Sequence, residues 1–166
     1  MRSSAHSIVC LFALAVAVTA AQAAGTVSVK FVEPEQFADA RDARRDASDN
    51  LRVLSGHIES AASRHLAAGD KLSVEVLDVD LAGEIRPSRQ FLQDVRVLKG
   101  RADWPRIKFR YTLESAGQPL RSGEHTISDM AYLQRSAGRV SGDALGHEKR
   151  MLDEWFQARF AARSAQ

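Results

Sequence analysis

Five residues have the types that could do chemistry together: Asp78 and Asp80 in the stretch KLSVEVLDVDLAG, then Asp129, His147 and Glu148. Hard divalent cations take several carboxylate oxygens, so the four acids with His147 form a candidate metal set. A divalent metal is the alternative to no cofactor at all. EF-hand and zincin spacings are absent. The competing role is structural: Asp78 pairs with Arg96 or Lys149, and Asp80 accepts backbone N–H groups from the turn through Gly83. His147 and Glu148 beside Asp129 would make an acid–base pair, because imidazole titrates near neutral pH and a carboxylate fixes its tautomer. No nucleophile accompanies them, since the chain has one cysteine, Cys10, and neither a G-x-S-x-G nor an S-x-x-K string. Glu148 also suits the positive end of a helix that starts at His147. The balance favours ionic pairing over catalysis.

A second set is cationic. Lys108 and Arg110 share one side of a strand, and Arg121 and His125 share one side of the next. If pairing aligns those sides, a basic strip results that could meet lipopolysaccharide, phospholipid headgroups, peptidoglycan or an acidic protein. Nucleic acid is not indicated. The formal net charge is only +2, and phosphate loops and aromatic-interleaved basic motifs are missing.

These residues need elements to position them. Thr26 to Val32 alternates and is rich in β-branched residues, which predicts a first strand. Leu51, Leu54, Ile58, Ala61, Ala62 and His65 form a helical stripe, capped by Asp49 or Asn50 and running to about Leu66. Leu72, Val74 and Val76 alternate with Ser73 and Glu75, and continuing that count places Asp78 and Asp80 on the apolar face. Glu84 to Arg89 reads as a polar passage in which Pro87 excludes a strand centre, with a short strand following through Phe91, Val95 and Val97. Ile107, Phe109, Tyr111 and Leu113 against Lys108, Arg110 and Thr112 give the cleanest alternation, and Leu120 to Ser128 should return antiparallel. A mixed segment from Asp129 to Leu133 suits a short helix, and Gly138 to Gly146 a loop. Met151, Leu152, Trp155, Phe156 and Phe160 mark a last helix over His147 to Phe160 that must dock on that sheet face.

Met1 to Ala23 has a basic Arg2, an apolar run from Ile8 and an Ala21-Gln22-Ala23 ending, the pattern of a secretory signal peptide. Cys10 would leave with it. The mature chain, about 140 residues without cysteine, must rely on its core, which that size permits. It should form one domain over residues 24–166, with no further segment able to span a bilayer, exported and periplasmic in a Gram-negative host.

Phe31-Val32-Glu33-Pro34-Glu35-Gln36-Phe37, Asp78-Val79-Asp80-Leu81-Ala82-Gly83, Trp104-Pro105-Arg106-Ile107 and His147-Glu148-Lys149-Arg150-Met151-Leu152 before Trp155 occur in one order. That pattern resembles the proteobacterial family of exported proteins catalogued as domain of unknown function 3016. The resemblance implies export and a single domain, and transfers no active site. The expected architecture is α+β: a mostly antiparallel sheet of four or five strands, with an early helix and a C-terminal helix on one face. The expected role is a non-enzymatic envelope protein that binds a protein partner or an anionic envelope component through Lys108, Arg110, Arg121 and His125.

Overall fold

In a computed structural model of the protein, the residues described are 24–41, 46–90, 92–136, 143 and 145–160. The signal peptide expected over Met1 to Ala23, with Cys10, lies outside them, as do Phe91 and most of the Gly138 to Gly146 loop. Four strands form the main sheet in the order β1-β2-β5-β6: β1 Thr26–Phe31, β2 Lys71–Asp80, β5 Arg106–Glu114 and β6 Arg121–Ser128. The first pair is parallel, because helix α1 (Ala47–Ser63) carries the chain back between them. The other two pairs are antiparallel. Strands β3 (Glu84–Ser88) and β4 (Gln93–Val97) make a separate two-stranded sheet, and helices α2 (Tyr132–Ser136) and α3 (Gly146–Phe160) close the chain.

One face of the main sheet is core. Its rows run Val27-Leu72-Leu113, Val29-Val74-Tyr111 and Phe31-Val76-Phe109 across the first three strands. Leu51, Leu54, Ile58, Ala61 and Ala62 of α1, and Met151, Leu152, Phe156 and Phe160 of α3, bury against that face in a single cluster. The helices touch each other there, with His57 Nε2 at 3.1 Å from the Lys149 carbonyl and Arg64 bonded to Asp153 at 2.8 Å. This is the expected α+β domain, with early and C-terminal helices on one face. The opposite face carries Ser28, Ser73, Thr112 and Ser122 in one row and Lys30, Glu75, Arg110 and Glu124 in the next.

Four expectations need correction. The cap of α1 is Asp46, whose carboxylate accepts the Asp49 N–H at 2.9 Å, and the helix ends at Ser63. Pro87 lies inside a strand after all; β3 belongs to a two-stranded ribbon, where a residue without an N–H is tolerated because the outer side of the strand needs no donor. The short helix begins at Tyr132, and Asp129 precedes it as an N-terminal anchor, accepting the Ala131 N–H at 3.1 Å.

The fourth concerns β2. Val76 pairs with Phe109 and Asp78 pairs with Lys108, so Leu77 is an extra residue. This β-bulge resets the alternation. Leu72, Val74 and Val76 point inward before it, Val79 and Leu81 after it, and all five are buried. Asp78 and Asp80 are therefore turned off the apolar face.

Candidate functional site

Beyond the bulge, β2 becomes a junction. The chain after the 3-10 turn Pro34–Gln36 runs alongside it, with Asp39 N–H donating to the Val79 carbonyl and Leu81 N–H to the Asp39 carbonyl, both at 3.0 Å. Asp78 Oδ1 accepts the Ala38 N–H at 2.9 Å and so pins that returning segment. Asp80 Oδ2 pairs with Arg106 at 3.0 Å. Partial burial pushes the Asp80 carboxyl above its ordinary pKa; Arg106 opposes that shift, while Asp39 and Asp78 add to it.

Arg96 of β4 ties this junction to the small sheet. Its Nη1 donates to the carbonyls of Ala82 and Gly83 at 3.0 and 2.9 Å, and its Nη2 to Asp39 Oδ2 at 2.8 Å and to the Arg41 carbonyl. The planar guanidinium serves all of these at once, which an ammonium cannot do. Glu148 approaches the same turn from α3. Its Oε1 accepts the Ala82 N–H at 2.8 Å, Oε2 is buried without a partner, and the residue is 1% exposed. Burial raises the Glu148 pKa, and the Ala82 N–H and Arg96 only partly offset it.

The remaining acid, Asp129, is 6% exposed and held by Arg150 at 2.8 Å. His147 stands edge-on to the Tyr132 ring, centroids 4.8 Å apart, and burial followed by the Arg150 charge lowers its pKa. Asp78, Asp80 and Glu148 thus divide among a backbone amide, Arg106 and a buried turn, while Asp129, held by Arg150, stays near enough to His147 for its charge to oppose that lowering. Among the described residues, no group of three or more His, Cys, Asp or Glu is arranged to hold a metal ion. The expected partners for two acids also change. Arg96 serves Asp39 instead of Asp78, Lys149 pairs with Asp143 at 2.6 Å, and Arg106 instead of turn amides serves Asp80.

The cationic set separates. Phe109 pairs with His125 and Leu113 with Arg121, so those two side chains lie on the helix-bearing face, while Lys108 and Arg110 pair with Thr126 and Glu124 on the other. No common strip forms. On the open face, Arg110 meets Glu75 at 2.7 Å and Lys108 meets Glu124 at 2.9 Å, which leaves each cation beside an acid. The Lys30-Glu75-Arg110-Glu124 row alternates in sign across all four strands, a pattern that offers no net attraction to an anion.

Arg121 and His125 instead end two of the core rows, at the seam between β6 and α3. The His125 ring stacks on Tyr111 at 5.8 Å and meets Trp155 at 5.3 Å. Arg121 sits over the Phe160 ring at 6.0 Å, within cation–π range. Arg159, exposed on α3, donates to the Tyr111 hydroxyl at 3.3 and 3.2 Å through two guanidinium nitrogens. Tyr111 links all of these, since its ring is also 5.8 Å from Phe160. Among the described residues, no acid lies within ion-pair distance of Arg121, His125 or Arg159. Gly123 gives the rings room: a Cβ there would meet His125 Nε2 at 3.1 Å and Tyr111 Cε1 at 3.2 Å.

Sequence reasoning named Arg121 and His125 but placed them on the wrong face, and it missed Arg159. The available signal was spacing on α3, where Trp155, Arg159 and Phe160 share one flank of the helix. What the seam offers is the partly exposed Trp155 and His125 rings over buried Tyr111 and Phe160, edged by two arginines that have no acidic partner among the described residues, beside an edge of β6 that pairs with no further strand among them. No curated protein and no solved structure matches the chain. A family model does match, over residues 25–158. On that match the chain belongs to the family described as protein of unknown function, DUF3016.

Proposed function

We propose that the protein is exported through its N-terminal leader, to the periplasm in a Gram-negative host, and acts there as a non-enzymatic binding protein for an anionic envelope component or partner. The binding surface is the β6/α3 seam of Arg121, His125, Trp155 and Arg159, over the buried Tyr111. One observation carries the reading: Arg121 and Arg159 have no acidic partner among the described residues, whereas Lys108 and Arg110 on the open face are each matched by one. Uncompensated charge attracts anions, and the partly exposed Trp155 and His125 give them a surface to lie beside. The engagement of Asp78, Asp80, Asp129 and Glu148 by backbone amides and arginines supports a non-enzymatic role.

The test uses processed protein recovered from a periplasmic fraction, whose first residue should be Ala24. Binding to lipopolysaccharide, anionic phospholipid vesicles and an acidic peptide is measured at rising salt concentration. An Arg121→Glu, Arg159→Glu double variant should lose at least tenfold in affinity, while Lys108→Glu, Arg110→Glu should stay within about twofold. Absence of salt-sensitive binding to all three probes, or equal losses in the two double variants, would overturn the proposal.

A further inference from the structure

The seam runs along a sheet edge, and this narrows what can occupy it. Strand β6 is the last of the four, pairs with β5 in unbroken register from Arg121 to Ser128, and contains no proline or bulge. Among the described residues no strand pairs with its outer side, which presents the N–H and C=O groups that a further strand would use. The other edge, β1, is less suited to a charged guest, because its inward residues Val27, Val29 and Phe31 are packed into the core. On β6 the inward positions are Arg121, Gly123, His125 and Ile127, all partly open to solvent.

Resting on the anion-binding reading above, we propose that β6 accepts an extended acidic polypeptide segment as a fifth strand of the sheet. Residues directly opposite on paired strands point to the same face, with Cβ atoms about 5 Å apart. A guest strand would therefore set one side chain beside Arg121, the next but one beside Gly123 and the following one beside His125. Acids four apart in the guest meet the guanidinium and the imidazole, which donates a hydrogen bond in either protonation state. The intervening residue lies over Gly123 against the partly exposed His125 ring, which stacks on buried Tyr111. Arg159 stands at the same ring cluster to meet a further carboxylate. On the other face the guest would run beside Ser122, Glu124, Thr126 and Ser128, where hydroxyl or lysine side chains fit and acids do not.

Charge decides against a second copy of the chain as occupant. Self-pairing of β6 would bring Arg121, Gly123, His125 and Ile127 of both copies to the same inward face, adding a second arginine and no acid. A polysaccharide or a lipid surface could satisfy the charges but not the row of backbone donors and acceptors.

The probe is a ten-residue peptide with glutamates at alternate positions and threonine, lysine or valine between them. Affinity is read by fluorescence anisotropy, and the site by hydrogen exchange of the whole mature protein. Binding should slow exchange at alternate amides of β6. The same peptide N-methylated along its central amides keeps its charge but cannot form the ladder, and should bind at least tenfold more weakly. If it binds within twofold of the parent, strand addition is wrong while the anionic seam survives. If vesicles or lipopolysaccharide bind and the peptide does not, the partner class is wrong. If no anion binds, both readings fall. Concentration-dependent dimerisation that protects β6 without peptide would show that the edge belongs to a second copy and would also overturn the proposal.

Discussion

Replacing Arg96 with methionine tests whether the junction below the bulge holds the small sheet to the body. The substitution keeps much of the apolar stem and removes the guanidinium. Lost with it are bonds to the Ala82 and Gly83 carbonyls, to Asp39 and to the Arg41 carbonyl. Breaking a buried pair by deleting one partner costs about 3–5 kcal/mol, because the other group is left without compensation. Arg96 is 12% exposed, but Asp39 is 28% exposed, so water can reach part of what is abandoned. The lower end of the range follows, about 3 kcal/mol. For a chain of this length that is a fall in Tm of roughly 10 °C. Urea unfolding followed by tryptophan fluorescence measures it, with Arg110→Met as control: Arg110 and Glu75 are 52% and 39% exposed, and such a pair is worth about 0.5 kcal/mol. Arg96→Met within 1 kcal/mol of the parent protein, or no worse than Arg110→Met, would refute the idea of Arg96 as a clamp.

Two further outcomes follow from the same region. Glu148→Gln keeps the acceptor for the Ala82 N–H and cannot ionise. Burial raises the Glu148 pKa above its ordinary 4.5, so the glutamate's stabilising contribution is complete below that value and is lost as pH rises through the folded pKa. The stability advantage of the glutamine variant should accordingly grow with pH, no faster than about 1.4 kcal/mol per unit, and a difference flat across a urea-unfolding series from acid to alkaline pH would contradict it. Deleting Leu77 should leave a cooperatively folded protein, weakened by about 1–2 kcal/mol for the lost half-buried side chain, with Asp80 still opposite Arg106; loss of cooperative unfolding would refute the bulge assignment.

How far the sequence revealed this arrangement differs from element to element. Strand β5 and helix α3 were legible because their large side chains recur at one period throughout. The bulge had a signal that strict counting overrode: Val76 and Leu77 are adjacent, and the next apolar residues, Val79 and Leu81, fall in the opposite phase. The cationic seam was not legible. Period two shows that Arg121 and His125 share a side, but β6 has only Ile127 to declare which side is core, and the face that it shares with β5 is set by how the Ser115 to Leu120 turn closes. Arg96 was invisible for another reason. Its partners lie at residues 39, 41, 82 and 83, and a polar clamp drawn from three separate segments leaves no periodic trace.

The bulge at Leu77 also bears on how this fold can change over time. A single residue gained or lost within a regular strand inverts every side chain beyond it, sending hydrophobic groups to water and charges to the interior. In β2 the extra residue is absorbed where it stands, so the strand is already composed of two half-strands in independent phase. Length changes at that one point are neutral to the faces on either side. The upstream half can therefore be constrained by the core and the downstream half by the ionic junction, and each can diversify without forcing the other out of frame.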